Sequence, residues 1–419
     1  MQGSGGVFGS RNLAEHKSVM FDLRNLPSSF HADPYPVYAA LRREHPVYAL
    51  PGGGYLLTRY DDCLQAYRDA AFSADKRVEF GAKFGASPLF EHHTTSLVFN
   101  DPPRHSRVRR LIAGALTPRA IAAMEVGLVR TVDGLLDRMG TLPCPDLIED
   151  YAAAIPVEVI GNLLGVPVEE REPLRGWSLA ILGALEPALS PEQEAAGNRA
   201  VLEFLAYLET LVAQRRAAPL DPATDVLTRL ILGEAGEEKE QLSAAELLHN
   251  CIFLLNAGHE TTTNLIGNAL VTFAAHPAEM ARVLAEPSLV RGAVEEVLRY
   301  ESSNQLGNRR TVADIVVGGV AMPAGTGVTI CIGAANRDPA RFAEPDQFDV
   351  GRSPNRHLAF GTGIHSCAGM SLARLEGAVA IGRFLARYPG YALKGVPVRG
   401  NRVRFRGYTR VPVVLVGGA

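Results

Sequence analysis

Hydrophobic residues recur three and four positions apart over most of the chain between residues 105 and 300, which is the spacing of amphipathic helices. Short apolar runs bounded by turn-forming residues occur only near the two ends. The pattern therefore predicts a mainly α-helical fold with minor β sheets. The predicted strands cover residues 55–58, 315–317, 328–332, 403–405 and 411–416.

The best-defined helix is predicted to begin at Ser243 and to end before Pro277. Ser243 and Glu246 have the spacing of a capping box, and a proline cannot extend a helix. About 33 residues give a length of roughly 50 Å, so this helix has to cross the core. Residues 256–264, in its middle, include a glycine and three threonines, which lower helix propensity. Two explanations stay open from this pattern, a solvent-facing polar stripe or a functional site.

Composition and charge limit the possible function classes. Apolar residues make up 47% and charged residues 21% of the chain, as in folded globular proteins. The net charge of −3 provides no general attraction to nucleic acid, so no nucleic-acid partner is expected. We expect a flexible segment over residues 1–20 and a single domain over residues 21–419. The sequence predicts neither a signal peptide nor a membrane anchor, and we expect a cytoplasmic monomer.

Five cysteines are too few and too widely spaced for a disulfide framework or a structural zinc site. One of them, Cys367, lies in the segment Phe-Gly-Thr-Gly-Ile-His-Ser-Cys-Ala-Gly, residues 360–369, before a predicted helix. The glycines let the backbone fold around the sulfur, and the helix start adds a positive dipole. We expect this environment to favour a thiolate. Such a thiolate serves as a redox nucleophile or as a metal ligand, including the axial ligand of a haem iron.

This segment resembles the haem-binding loop of the cytochrome P450 superfamily, and the chain is identified as a member of its soluble bacterial type. Glu296 and Arg299 match the Glu-x-x-Arg pair that braces this loop in the family. Residues 257–262, Ala-Gly-His-Glu-Thr-Thr, are similar to its oxygen-activation motif. The resemblance extends from about residue 33 to the C-terminus, with the motifs in the family's order.

The resemblance implies a triangular-prism fold in which haem b (iron protoporphyrin IX) lies between the long central helix and the loop that carries Cys367. It implies Cys367 as the axial iron ligand, and Glu260 with Thr261 as the catalytic residues that deliver protons. Arg310 is adjacent to one implied propionate ligand, Arg309, so the register there stays open. The other implied haem-contacting residues are His105, Arg109, Ala257, Gly258, Arg309, Phe360, Gly361, His365 and Gly369.

Residues 302–308, Ser-Ser-Asn-Gln-Leu-Gly-Asn, follow the Glu-x-x-Arg helix where the family brings a mostly apolar strand over the haem. One explanation is an exposed turn, because these residues are turn formers. The other is that Asn304 or Gln305, with Leu306, faces the substrate. A buried amide requires a hydrogen-bonding partner, so the substrate would then be an apolar skeleton with at least one polar group.

Two features depart from or extend the family pattern. Residues 345–348 lack the arginine that usually joins Glu296 and Arg299, and we expect Arg352 or His357 to replace it. Arg356 and Arg374, together with Arg352, are expected either to form a basic face for an acidic electron carrier or to be ordinary solvated arginines.

The implied function is that of a haem-thiolate monooxygenase that inserts one oxygen atom of O₂ into a small, largely apolar molecule, for example in secondary metabolism. Electrons would come from a ferredoxin or flavodoxin-type donor with its reductase. Two alternatives stay open. A haem-based sensor would not need Glu260 and Thr261, and peroxide-driven members generally lack this acid–Thr arrangement. A dehydratase or isomerase of the same family is harder to separate.

Overall fold

The computed structural model describes residues 21–222, 225–232 and 242–417. The segment predicted to be flexible, residues 1–20, lies outside the described residues. Helices dominate the described part and the sheets are small, as the hydrophobic pattern predicts. The α-helices are α1 (Ser28–Ala32), α2 (Tyr35–Glu44), α3 (Tyr60–Arg68), α4 (Arg77–Phe84), α5 (Pro88–Thr95), α6 (Arg104–Ala115), α7 (Pro118–Gly140), α8 (Ala154–Leu164), α9 (Glu172–Gly183), α10 (Pro191–Ala217), α11 (Val226–Leu232), α12 (Ala244–Ala275), α13 (Pro277–Ala285), α14 (Val290–Tyr300), α15 (Ile332–Ala335) and α16 (Met370–Arg387).

Helix α12 is the long central helix that the sequence predicts. The Ser243 hydroxyl accepts a hydrogen bond from the Glu246 amide at 3.1 Å, and the Glu246 carboxylate accepts one from the Ser243 amide at 2.9 Å. This reciprocal capping box satisfies two of the N–H groups that a helix start leaves unpaired. The helix ends at Ala275, just before Pro277. Both predicted ends are confirmed.

The polar residues in the middle of α12 are buried. Asn256 is 2% exposed, and Glu260 and Asn264 are each 6% exposed. The helix packs against α8, α9 and α16 along this stretch. The prediction of a solvent-facing stripe is therefore wrong, and the polar side chains require partners within the molecule.

A five-stranded sheet joins residues from both ends of the chain in the order β1-β2-β7-β4-β3. Strands β2 and β7 pair in parallel, and the other neighbours pair antiparallel. Three two-stranded sheets accompany it. The strands are β1 (Val47–Ala49), β2 (Tyr55–Leu57), β3 (Phe72–Ser73), β4 (Leu306–Thr311), β5 (Ile315–Val317), β6 (Val320–Met322), β7 (Gly327–Cys331), β8 (Ala392–Leu393), β9 (Val398–Arg399), β10 (Tyr408–Arg410) and β11 (Val413–Val414).

The main hydrophobic core surrounds α12 and includes the inward faces of α7, α8, α14 and α16. Phe273 of α12 and Phe384 of α16 are fully buried there. Burial of apolar side chains of this size contributes roughly 1.5 to 3 kcal/mol each. Two smaller clusters lie beneath the five-stranded sheet and the N-terminal helices. The large core fixes α12 relative to the segment that carries Cys367.

The predicted strand at residues 403–405 is wrong. Only Phe405 forms an isolated bridge, with Asn304. The basic residues around it do not alternate along a solvent-exposed edge, because Arg402 and Arg406 form ion pairs with buried carboxylates. Side-chain charge pairing within the protein has determined the course of this segment, and a periodicity of two does not reveal such pairing.

No single helix among the described residues is long and apolar enough to cross a membrane. The bent pair Arg104–Gly114 and Pro118–Gly140 reaches the required length and hydropathy only when its two helices are taken together.

Candidate active site

A cavity of about 780 Å³ lies between the middle of α12 and the cysteine loop, which we define as residues 360–369. Its wall is mostly apolar, so the few polar groups in the wall determine what it can bind. Most of the residues predicted from the sequence meet here. Those that line the cavity are His105, Arg109, Ala257, Gly258, Thr261, Asn304, Leu306, Arg309, Phe360, Gly361, His365, Cys367 and Gly369.

The cysteine loop turns tightly enough to put Cys367 in the cavity wall. Gly361 and Gly363 have φ angles of 61° and 72°, in the left-handed region that favours glycine. A Cβ atom at Gly363 would also lie 2.8 Å from the carbonyl oxygen of Tyr67. The Cys367 amide donates a hydrogen bond to the Phe360 carbonyl at 2.9 Å, which closes the loop.

The Cys367 thiol does not ionise readily on its own. Burial raises its pKa, whereas the amide of Gly369 and the charges of Arg109 and Arg374 act in the opposite direction. The expectation that the loop alone favours the thiolate is therefore not met. Among the described residues no group of three or more His, Cys, Asp or Glu side chains could hold a metal ion. The other ligands of a metal ion bound to this sulfur would have to come from a cofactor, as the porphyrin provides them for the iron of a haem.

Two histidines and two arginines border the cavity beside the cysteine loop. The rings of His105 and His365 lie 4.0 Å apart, and Arg109 donates a hydrogen bond to the Ser366 hydroxyl at 3.3 Å. Both ring nitrogens of His105 and Nε2 of His365 are buried without a partner. Burial lowers the pKa of Arg309, which lines the same region. Unpaired donors and cations at one edge suit two carboxylates, so these residues fit the propionates of a haem.

The cavity lining distinguishes Arg309 from its neighbour Arg310. Arg309 lines the cavity, where its guanidinium lies 5.2 Å from the ring centroid of Tyr67, and Arg310 does not line it. The geometry thus favours Arg309 as the propionate-binding arginine.

The middle of α12 brings a hydroxyl and two small residues to the cavity wall. Thr261 donates a hydrogen bond from Oγ1 to the carbonyl of Ala257 at 2.8 Å. This bond to the preceding turn fixes the threonine rotamer. The resemblance assigns Gly258 to close approach of the haem. A Cβ at Gly258 would also collide with Ile160 of α8, so the glycine allows the two helices to pack closely.

Thr261 lines the cavity, but Glu260, the other predicted catalytic residue, does not. Glu260 forms a buried ion pair with Arg402, and its Oε2 atom has no hydrogen-bonding partner. Burial raises the pKa of Glu260 to about 7, although Arg402 opposes this shift. Arg402 was missed by sequence reasoning, because it lies 142 residues away and belongs to no recognisable motif.

Glu296 and Arg299 form a fully buried, two-pronged ion pair on α14, with N–O distances of 2.7 and 2.8 Å. The remaining N–H groups of Arg299 reach the segment that leads to the cysteine loop. They donate to the carbonyls of Asn336, Pro345 and Gln347. The pair therefore braces that segment, as expected from the sequence.

Arg352 supplies the missing third partner of this pair. Its Nε atom lies 3.1 Å from the Glu296 carboxylate, and Asn355 donates to the same carboxylate at 3.0 Å. His357, the other candidate, pairs with Glu295 instead.

These ion pairs make the basic face smaller than the sequence predicts. The Arg352 side chain is only 11% exposed, because it is committed to Glu296. Arg374 is 41% exposed and forms an ion pair with Glu295. Arg356 is exposed. The basic face near the cysteine loop is thus reduced to Arg356 and a partly neutralised Arg374.

The two amides after α14 have different environments. Asn304 lines the cavity, and its Oδ1 atom is buried without a hydrogen-bonding partner. Gln305 was expected as an alternative substrate contact, but it does not line the cavity. Its side chain is buried, donates to the Ser302 carbonyl at 2.7 Å and lies against Gly333. The prediction for Gln305 is wrong because its side chain turns inward, to the Ser302 carbonyl and Gly333, and away from the cavity.

Comparisons with known proteins show the family to which the chain belongs. The family model described as Cytochrome P450 matches residues 187–394. The chain is 39% identical to a vitamin D(3) 25-hydroxylase of Pseudonocardia autotrophica over 398 residues, which cover 92% of this chain and 95% of that protein. It is 35% identical to the 6-deoxyerythronolide B hydroxylase of Saccharopolyspora erythraea, with coverage of 93% and 98%.

A solved structure of P450BioI in complex with an acyl carrier protein ligated to hexadec-9Z-enoic acid has the same fold. The TM-score is 0.86 at 34% sequence identity, over 93% of this chain and all of that one. The fold expected from the resemblance is therefore confirmed.

Proposed function

The chain belongs to the cytochrome P450 family and is a haem-thiolate monooxygenase, and from this premise we propose what it oxidises and how. We propose that it hydroxylates or epoxidises a small, largely apolar organic molecule of secondary metabolism. The mostly apolar cavity wall supports this substrate class. The named substrates of the two hydroxylase relatives, vitamin D(3) and 6-deoxyerythronolide B, support it as well.

The observation that carries the proposal is the convergence of Cys367, the propionate-fitting residues and Thr261 on one cavity. Cys367 would hold the iron of the bound group through its sulfur, and that group would be haem b. His105, Arg109, Arg309 and His365 would hold its two propionates. When bound, the haem supplies the binding and reductive activation of O₂.

The residues of α12 would control protons. The Thr261 hydroxyl lies at the wall and can pass a proton from its Oγ1 atom to a group in the cavity. Glu260 lies one residue earlier, behind the wall, with a pKa of about 7. A carboxyl group with that pKa takes up and releases a proton near neutral pH, which suits a proton reservoir behind Thr261.

The electrons would come from a ferredoxin or flavodoxin-type protein with its reductase. Such carriers are acidic, and Arg356 is an exposed cation near the cysteine loop. We further infer that the enzyme acts as a cytoplasmic monomer and that residues 21–419 form one domain after the segment 1–20.

A spectrum of the reduced, CO-bound protein tests the ligand assignment. We expect the red-shifted Soret band of thiolate ligation, and we expect Cys367→His to abolish it. Cys251→Ser and Cys331→Ser are matched controls, because both cysteines are fully buried away from the loop and should keep the band. Retention of the band in Cys367→His would assign the ligand to another cysteine.

Turnover measurements distinguish a monooxygenase reaction from the other reaction types open to this family. Product that carries one ¹⁸O atom from ¹⁸O₂, and that requires reductant, supports the proposal. Product formed with peroxide alone would indicate a peroxide-driven enzyme. Product formed with neither would indicate a dehydratase or isomerase.

A further inference from the structure

A second pair of cations, Lys83 and Arg404, lies in the cavity wall at a place that the proposed haem contacts do not use. Lys83 donates hydrogen bonds from Nζ to the carbonyls of Ala184 and Glu186, both at 2.8 Å. Arg404 donates from Nε to the intervening carbonyl of Leu185 at 3.4 Å. Because both side chains contact three consecutive carbonyls, their charges lie side by side.

Neither cation has a carboxylate partner among the described residues. The other acceptors of Arg404 are the Leu306 carbonyl, at 2.9 Å, and the Asn308 side-chain oxygen. Two acids, Glu186 and Glu194, act on Lys83 through their charges without forming an ion pair with it. The Glu186 carboxylate accepts hydrogen bonds from the amides of Val403 and Arg404. Neutral acceptors therefore satisfy the donors of Lys83 and Arg404 but do not balance their charges.

The neighbouring arginines of the same segment do have acidic partners. Arg402 pairs with Glu260, and Arg406 pairs with Glu301. Arg404, between them, lines the cavity, and among the described residues its guanidinium forms no ion pair. The Glu186 carboxylate accepts a hydrogen bond from its backbone amide, but burial outweighs the attraction of Glu186 for the Arg404 charge. A buried cation without a paired carboxylate is unfavourable, and a bound anion would reduce that penalty.

The electrostatics of Lys83 agree with this geometry. Burial and the charge of Arg404 lower the pKa of Lys83 to about 8, and the charges of Glu186 and Glu194 offset only part of this shift. Lys76 also lines the cavity, but it is neutralised by an ion pair with Glu79. A negative group between Lys83 and Arg404 would raise the pKa of Lys83 again.

The surroundings of the two cations are apolar and aromatic. Phe80 and Phe99 line the cavity with ring centroids 5.0 Å apart, and Phe84 packs against Phe80. His93 lies beside them, and its Nε2 atom is buried without a partner. Burial lowers the pKa of His93 to about 3, so the ring is neutral. This part of the cavity thus joins an apolar chamber to a cationic end.

We propose that Lys83 and Arg404 bind a carboxylate of the substrate, so that the enzyme oxidises an apolar carboxylic acid. This inference rests on the proposed function and narrows its substrate class. The acid group would be held at the cationic end while the apolar skeleton extends through the cavity.

Binding to holoenzyme tests this preference directly. Dodecanoic, biphenyl-4-carboxylic and abietic acids, each with its methyl ester, provide matched probes on three different skeletons. Their dissociation constants are measured at about pH 7, where Lys83 is charged, by calorimetry and by the low-to-high-spin Soret shift. We expect at least one acid to bind about tenfold more tightly than its ester, as one charge-assisted hydrogen bond provides. Equal or weaker binding of all three acids would overturn the proposal.

Substitutions of Lys83 then test whether this side chain binds the carboxylate of the acid. Lys83→Met should reduce acid binding about tenfold and leave ester binding within about twofold, because the ester makes no charge-assisted contact with Lys83. Lys83→Arg should keep the acid preference, and Lys394→Met, at an exposed lysine outside the cavity, should not change it. Equal weakening of acid and ester in Lys83→Met would assign Lys83 to holding residues 184–186 in place, and would contradict the proposal.

The same experiment separates a substrate acid from a haem propionate. If Lys83→Met or Arg404→Gln lowers the haem content of the purified protein without changing the acid-to-ester ratio, these cations serve the cofactor and the inference is wrong. The proposed function fails differently, through loss of the thiolate CO band or of O₂-dependent product, and neither of those results depends on Lys83.

Discussion

Glu260 and Arg402 form a buried ion pair behind the cavity wall, although they are 142 residues apart in the chain. The pair joins the middle of α12 to the segment before β10. It leaves one carboxylate oxygen of Glu260 without a partner, and the pKa of Glu260 stays above its usual value. Desolvation of the carboxylate thus outweighs its attraction to the guanidinium. Glu260 is therefore a group that changes charge near neutral pH next to Thr261.

The raised pKa of Glu260 predicts a specific pH dependence of stability. The folded protein keeps the Glu260 proton up to about pH 7, whereas the unfolded chain loses it near 4.5. The resulting stabilisation is fully present below pH 4.5 and is lost as the pH rises to about 7, by at most about 3 kcal/mol. Unfolding by denaturant at several pH values should show this loss in the wild type and not in Glu260→Gln. Parallel stability curves for the two proteins would contradict the assignment.

Thr261→Ala should let O₂ bind but divert reducing equivalents into hydrogen peroxide. The substitution removes the Oγ1 hydroxyl that is adjacent in sequence to Glu260 and lines the cavity, and with it the proposed route for the proton held at Glu260. The measurement is product and peroxide formed per NAD(P)H consumed. Thr263→Ala is the matched control, because Thr263 makes the same kind of bond to the preceding turn, to the His259 carbonyl at 3.0 Å, without lining the cavity. Unchanged coupling in Thr261→Ala would leave this threonine with a structural role only.

Local sequence patterns predicted the elements whose causes are local. The capping box and Pro277 defined α12, and the glycines of the cysteine loop indicated its tight turn. The partners of the site residues come from distant segments, and no spacing rule reveals them. Arg402 and Arg404 differ by two positions, yet one neutralises Glu260 and the other lines the cavity. Only the folded backbone decides between these roles.

The same limit applies to the Glu-x-x-Arg pattern, which occurs twice within twenty-one residues. Glu279 and Arg282 form a pair whose arginine is 46% exposed, whereas Glu296 and Arg299 are completely buried. Spacing alone cannot separate these cases, because both sit on helices with identical geometry. The resemblance to the family selected the correct pair through its distance from Cys367.

These two pairs provide a matched test of the buried brace. Arg299→Gln should reduce the free energy of unfolding by about 3 kcal/mol, because it removes the two-pronged partner of the buried Glu296, to which only Arg352 would remain paired, and leaves three carbonyls without donors. Arg282→Gln should change the free energy of unfolding far less, because solvent screens that pair. We also expect Arg299→Gln to lower the haem content of the purified protein. Similar losses of stability in both variants would show that the buried pair is no more than an ordinary helix contact.

The adjacent amides Asn304 and Gln305 give the sharpest test of substrate contact, because they have similar chemistry and opposite environments. Both amides have a buried side-chain oxygen without a hydrogen-bonding partner, but Asn304 lines the cavity, whereas Gln305 does not and donates to the Ser302 carbonyl inside the protein. Asn304→Leu should weaken binding of an oxygenated ligand about tenfold and improve binding of its deoxygenated analogue, since one hydrogen bond is worth roughly 1.4 kcal/mol.

Gln305→Leu should instead lower the free energy of unfolding, by about 1 to 3 kcal/mol, with little preference between the two ligands. Spectral titration with the strongest ligand from a panel of terpenes, macrolides, fatty acids and aromatic compounds, followed by thermal unfolding, measures both effects. Because the two substitutions remove nearly the same group one residue apart, a general disturbance of this segment would change both variants alike. Equal affinities of Asn304→Leu and wild type for both ligands would mean that the unpaired oxygen of Asn304 makes no contact with substrate.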